Sequence, residues 1–132
     1  MGGAKMIKSL FLVSAALVVM VNPVLAEGNV AAGEIVFQRC FACHGKVDPT
    51  QLARNGPTLQ GIVGRPVASV QGYAYSDAMK AFGATGAHWD EPTLDQFLKD
   101  PMGFVKGMKM VAAPVRRDTE RADLIAYLKS TK

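Results

Sequence analysis

The sequence predicts an all-α domain of few helices joined by long loops. Four stretches show helical spacing of apolar residues behind recognisable capping residues, Gly and Pro are scattered through the connections at 45–65, 66–72 and 101–114, and no alternating strand of convincing length appears. The chain has 132 residues, about one domain at the usual ~100–200 residues per domain. Its hydrophobic content of 49% is too high for a disordered chain, and its two Cys are too few for a disulfide scaffold.

The N-terminus reads as an export signal. Lys5 and Lys8 form a basic start, Leu10 to Val21 is an apolar run interrupted only by Ser14, and Asn22-Pro23 breaks it before the small-residue pattern Val24-Leu25-Ala26. The run is shorter than the ~20 residues that span a bilayer. Cleavage is expected after Ala26, which divides the chain into a signal peptide at 1–26 and a domain at 27–132. Removing Lys5 and Lys8 takes the net charge from +4 to +2. That mild basicity, with no Lys/Arg block, excludes a nucleic-acid binder.

In the first helix, Asn29 is placed to cap Val30–Arg39, with Val30, Gly33, Val36 and Phe37 on one side. Ser76 caps a short second helix through Met79 and Ala81. Asp90 caps a third, with Pro92 in its first turn, Leu94, Phe97 and Leu98 on its apolar face, and Asp100-Pro101 as its stop. Asp118 is expected to cap the last, which carries Leu124, Ile125 and Leu128 inward and Lys129 in its final turn, where a cation suits the helix dipole. A domain of this size buries only a modest core. Long loops in so small a domain make sense if they wrap something.

Cys40-Phe41-Ala42-Cys43-His44 supplies that something. The spacing C-x-x-C-H is the attachment pattern of c-type haem. Two thiols three apart lie on one side of a helical turn, where each forms a thioether with a haem vinyl group, and the adjacent imidazole meets the iron. A C-x-x-C redox dithiol would sit beside a βαβ pattern, which is missing, and a zinc site needs more ligands than one Cys pair and two His supply. Export fits the chemistry of attachment. The second axial donor comes from Met79, Met102, Met108, Met110 or His88, and the flexible segment 101–114 is best placed to pass beside a flat cofactor. Met108 and Met110 are two apart and point to the same side of an extended chain, so spacing does not choose between them.

The chain resembles the small soluble class I c-type cytochromes, in the branch of mitochondrial-type cytochrome c and bacterial cytochrome c-two, over essentially all of 28–130. The matching strings are Gly33-x-x-x-Phe37, Asn55-Gly56-Pro57-x-Leu59-x-Gly61, Gly64-Arg65, Gly72-Tyr73-x-Tyr75-x-Asp77-Ala78, Trp89, Gly107-x-Lys109-Met110 and Asp123-Leu124-Ile125-Ala126-Tyr127-Leu128. The resemblance implies the class I cytochrome c fold around one covalently bound haem c, held through Cys40 and Cys43 with His44 and Met110 as metal ligands. It implies that the Pro57 carbonyl accepts the His44 ring N–H, that Arg65, Tyr75 and Trp89 serve the haem propionates, and that Gly33 and Phe37 pack against Tyr127. Met108 is then packing, and His88 a surface or capping residue. Three positions depart from the family: Phe97 where a Tyr is often found, Met108 where a hydroxyl residue is common, and Lys106 where Pro is frequent. The last should loosen the Met110 loop, so that Lys106, Lys109 or hydroxide displaces the sulfur at lower pH than usual.

The implied function is one-electron carriage in the periplasm by a soluble monomer that is not an enzyme. Its partners are a membrane quinol-oxidising complex on one side and a terminal oxidase, photosynthetic reaction centre or periplasmic oxidoreductase on the other. Arg39, Lys46, Lys80, Lys106, Lys109 and Arg116 are candidates to ring the haem edge and steer acidic docking faces. The alternative is a haem-based ligand-binding or sensor protein with a labile sixth ligand.

Overall fold

The computed structural model describes residues 1, 27–45 and 55–132. Apart from Met1, the expected signal peptide lies outside the described residues, as does Lys46. Among the described residues five helices follow one another: α1 (Val30–His44), α2 (Asp77–Ala84), α3 (Glu91–Lys99), α4 (Pro101–Phe104) and α5 (Asp118–Ser130). Among the described residues strand pairing is limited to one bridge, between Pro66 and His88.

Three helices begin as the sequence predicts. The side chains of Asn29, Ser76 and Asp90 accept hydrogen bonds from the N–H of Ala32, Met79 and Thr93, each three residues on. Such a cap satisfies one of the donors that a helix start leaves without an intrahelical partner. The first helix runs past the expected Arg39 to His44, where Gly45 turns the chain at φ +69° and donates its N–H to Phe41 O. The whole C-x-x-C-H string therefore rides on the last turns of α1.

Two expectations need correction. Arg117, not Asp118, is the residue before α5, and it makes no side-chain cap. Asp118 lies inside the first turn with its carboxylate turned to Arg121. Asp100-Pro101 does stop α3, but the chain restarts at once as α4: Pro101 stands at the first helical position, and the Asp100 carboxylate accepts from Gly103 N at 3.1 Å. Proline fits there because its missing N–H is one that a helix start leaves unused.

The core has a tight seam and an aromatic ring. The most extensive helix contact is between α1 and α5. Gly33 allows it, because a Cβ there would lie 1.9 Å from Asp123 O and 2.8 Å from Tyr127 Cβ. Phe37 packs on Tyr127 with centroids 5.2 Å apart, and Leu124 is fully buried behind them. The other half of the core is a circuit of rings meeting edge to face. Phe82 touches Trp89 and Phe104, and Phe97 touches the same two, at 4.9–6.2 Å between centroids. Phe97 thus occupies the buried position without needing a hydroxyl partner there.

Candidate haem site

The end of α1 presents the donor set. Cys40 is half-buried, Cys43 is exposed, and both are free thiols. Burial pushes the Cys40 thiol up from its ordinary pKa, only partly opposed by the Arg39 charge. Redox-active C-x-x-C thiols are shifted the opposite way, toward thiolate. A neutral sulfur bound for a thioether suits this environment. Among the described residues there is no group of three or more His, Cys, Asp or Glu that could hold a metal ion.

His44 is pinned from two sides. Its Nδ1 lies 2.7 Å from Pro57 O. A carbonyl only accepts, so Nδ1 carries the proton and Nε2 keeps its lone pair. Burial lowers the pKa of the ring, and the bond to Pro57 raises it less, so the imidazole is held neutral as a ligand requires. Gly56 lies flush against the ring: a Cβ there would meet His44 Cε1 at 2.6 Å, while its N–H donates to Cys43 O at 3.0 Å. The string Gly56-Pro57 thus both shapes and orients the imidazole. These residues fit a haem c attached to α1: two thiols on one side of a turn, a neutral imidazole of fixed tautomer, and glycine where anything larger would tilt the ring.

Residues far apart in sequence are also brought together. Backbone bonds run from Gly64 N to Trp89 O, Trp89 N to Arg65 O and Val67 N to Ala87 O, at 2.8–2.9 Å. This short antiparallel pairing sets Arg65 next to Trp89. Arg65 is half-buried and donates Nη2 to Thr58 O at 2.8 Å and Nη1 to Gln60 O at 3.0 Å. Burial lowers its pKa, and the nearby Tyr75 phenol opposes that. Tyr75 Oη accepts from Val70 N at 3.3 Å, which leaves its own O–H to donate. Burial raises the Tyr75 pKa, so that proton stays on the oxygen. Trp89 is buried at 7% exposure. Tyr73, given no role by its place in the Gly72-Tyr73-x-Tyr75 string, donates its hydroxyl to Asn55 O at 2.9 Å and meets Tyr75 edge-on.

Of the methionines, Met79 and Met108 are buried, Met102 is exposed, and Met110 is half-buried against the core. His88 is exposed, with Nδ1 2.9 Å from Gly86 O. Arg39 pairs with Glu120 at 3.1 Å and Lys80 with Asp77 at 3.4 Å, whereas Lys106, Lys109 and Arg116 are exposed and make no ion pair among the described residues.

The Cytochrome c family model matches residues 30–132. The chain belongs to the cytochrome c family. It is 44% identical over 103 residues to cytochrome c2 of Rhodomicrobium vannielii, covering 78% of this chain and 79% of that one. Among solved structures it is similar to cytochrome c2 from Rhodospirillum centenum, with TM-score 0.73 and 35% identity over 79% of this chain and 98% of that one. It is also similar to cytochrome cH from Methylobacterium extorquens, with TM-score 0.69 and 41% identity over 78% and 99%. As a cytochrome c it has the class I fold, binds haem c covalently and is an electron carrier.

Proposed function

We propose that residues 27–132, freed from the signal peptide, form a soluble periplasmic monomer that carries single electrons and catalyses no reaction of its own. Its partners are a membrane quinol-oxidising complex and a terminal oxidase, photosynthetic reaction centre or periplasmic redox enzyme. Cys40 and Cys43 would hold the haem, His44 and Met110 would donate to its iron, Pro57 orients His44, and Arg65, Tyr75 and Trp89 would receive the propionates. The haem supplies the ferric/ferrous couple. A thioether donor together with the imidazole would favour the ferrous form and raise the potential. The observation that carries this reading is the neutral, doubly pinned His44 on the helix that also bears both thiols. No helix among the described residues is long and apolar enough to cross a membrane.

The test is carbon monoxide. The reduced parent takes it up poorly, and Met110→Leu takes it up readily while its helix content is unchanged. A parent that binds carbon monoxide freely turns the reading toward a ligand sensor. Lys106, Lys109 and Arg116 steer acidic partners, so the rate of reaction with a membrane oxidase falls as ionic strength rises. A flat response removes the steering role.

A further inference from the structure

Arg121 is a guanidinium inside the core. It is 3% exposed and shares the inward face of α5 with Leu124 and Leu128. Its Nε donates to Asp95 Oδ1 on α3 at 2.7 Å, its Nη2 to the Asp118 carboxylate, and its Nη1 to both Val115 O and Arg116 O at 2.9 Å. Val115 is itself buried, and its N–H donates to Leu98 O on α3 at 2.9 Å. Both backbone polar groups of Val115 are therefore tied, one to each flanking helix.

On the near side of Met110 the chain is also fixed. Met108 N donates to Val105 O at 3.3 Å across a turn with Gly107 at φ +85°, and Met108 is 6% exposed. Between these anchors, residues 109–114 make no backbone–backbone hydrogen bond among the described residues. Met110 rides on a strap whose slack is set by where its ends are held.

We infer that Arg121 is a positioning residue for the Met110 sulfur: it fixes the far end of the strap by holding the carbonyls of Val115 and Arg116 against α3 and α5. The inference rests on Met110 being the axial donor. An apolar residue at 121 would bury equally well but would not fix the direction of two carbonyls, which the rigid guanidinium fork does. A buried ion pair is by itself weak support for stability, so its use here is geometric. Releasing the anchor lengthens the free strap and raises the entropy cost of keeping the sulfur in one place.

The experiment uses the haem-loaded parent, Arg121→Lys, Asp95→Asn and, as a control on the same helix, Ile125→Val. Each is measured well below its melting temperature for helix content, for the sulfur–iron charge-transfer absorption of the oxidised form, and for carbon monoxide uptake by the reduced form. Arg121→Lys and Asp95→Asn keep their helices, weaken the absorption and speed uptake by roughly tenfold or more, the scale of one or two lost hydrogen bonds. Ile125→Val lowers the melting temperature and moves neither spectroscopic readout. If Arg121→Lys fails to fold, Asp95→Asn decides, since the Asp95 side chain is 44% exposed. Variants that melt earlier but match the parent in absorption and uptake overturn the clamp alone. A parent without the absorption overturns the Met110 reading, and the clamp with it.

Discussion

Gly33→Ala puts the α1–α5 seam to a direct test. The new Cβ would stand 1.9 Å from Asp123 O, where ordinary van der Waals contact is 3.4–4 Å. The obstacle is a backbone carbonyl of a helix, so no flexible side chain can swing aside. The two helices must separate or slide, which loosens the Phe37–Tyr127 pair, worth about 0.5–1.5 kcal/mol beyond its burial. It also strains the bond from Asn29 N to Asp123 Oδ1 at 2.6 Å. Overpacking of this kind costs about 1–3 kcal/mol and occasionally more. Against it stands the better helix propensity of Ala, about 0.8–1 kcal/mol. With the loosened pair added and the propensity gain subtracted, the net expectation is a loss of about 0.5–3 kcal/mol, a fall in Tm of about 2–20 °C for a domain of this size. Thermal unfolding of the haem-loaded protein followed by far-UV circular dichroism measures it. Ala31→Gly, at an exposed position of the same helix, gives the size of the propensity effect alone. A Gly33→Ala protein that melts at or above the parent would refute the close crossing.

Two further outcomes follow from single positions. Lys106 is the second residue of the Val105–Met108 turn, whose third residue, Gly107, has φ +85°, the arrangement in which Pro is favoured at the second position. Val105 is extended at φ −122°, and among the described residues Lys106 N makes no backbone–backbone hydrogen bond. Lys106→Pro is therefore expected to stabilise by about 0.4–1 kcal/mol and to keep the sulfur–iron absorption into more alkaline solution; a lower Tm would show that the turn does not accept proline. For Asp90, the bonds from Thr93 hold its carboxyl below the usual carboxylate range. A depressed folded-state pKa contributes stability above the unfolded value, which is lost as pH falls through the folded one. Asp90→Ala should melt earlier than the parent at neutral pH and converge with it in acid, and a gap that does not change with pH would count against the cap.

Much of this molecule is legible in local sequence. Asn29, Ser76 and Asp90 were readable as caps because each acts on a backbone N–H three residues away. The attachment motif was readable for the same reason, its chemistry being confined to one turn. Asp118 misled because an acidic residue suits both the cap and the first turn of a helix, and the partner that decides its place, Arg121, belongs to a three-element network. The helix α4, four residues long, is too short to show a period. The approach of Arg65 to Trp89 depends on pairing between 64–67 and 87–89, so spacing alone could not give it and only the family resemblance named those residues and Tyr75. Arg121 did leave a trace, since it shares the spacing of Leu124 and Leu128, but a charged residue in a core stripe reads as a break in the pattern until its partners are seen.

The helices do not share the interior equally. While α1 and α5 lie against one another over much of their length, α2 contacts no other helix backbone among the described residues. It is held by the buried Met79 and by the edges of Phe82 on Trp89 and Phe104. Local opening is easiest where few buried contacts must break. Amide protons of α2 will trade for deuterium first and those of the α1–α5 seam last, so the protein yields to heat from one flank inward while the helix bearing both thiols is still folded.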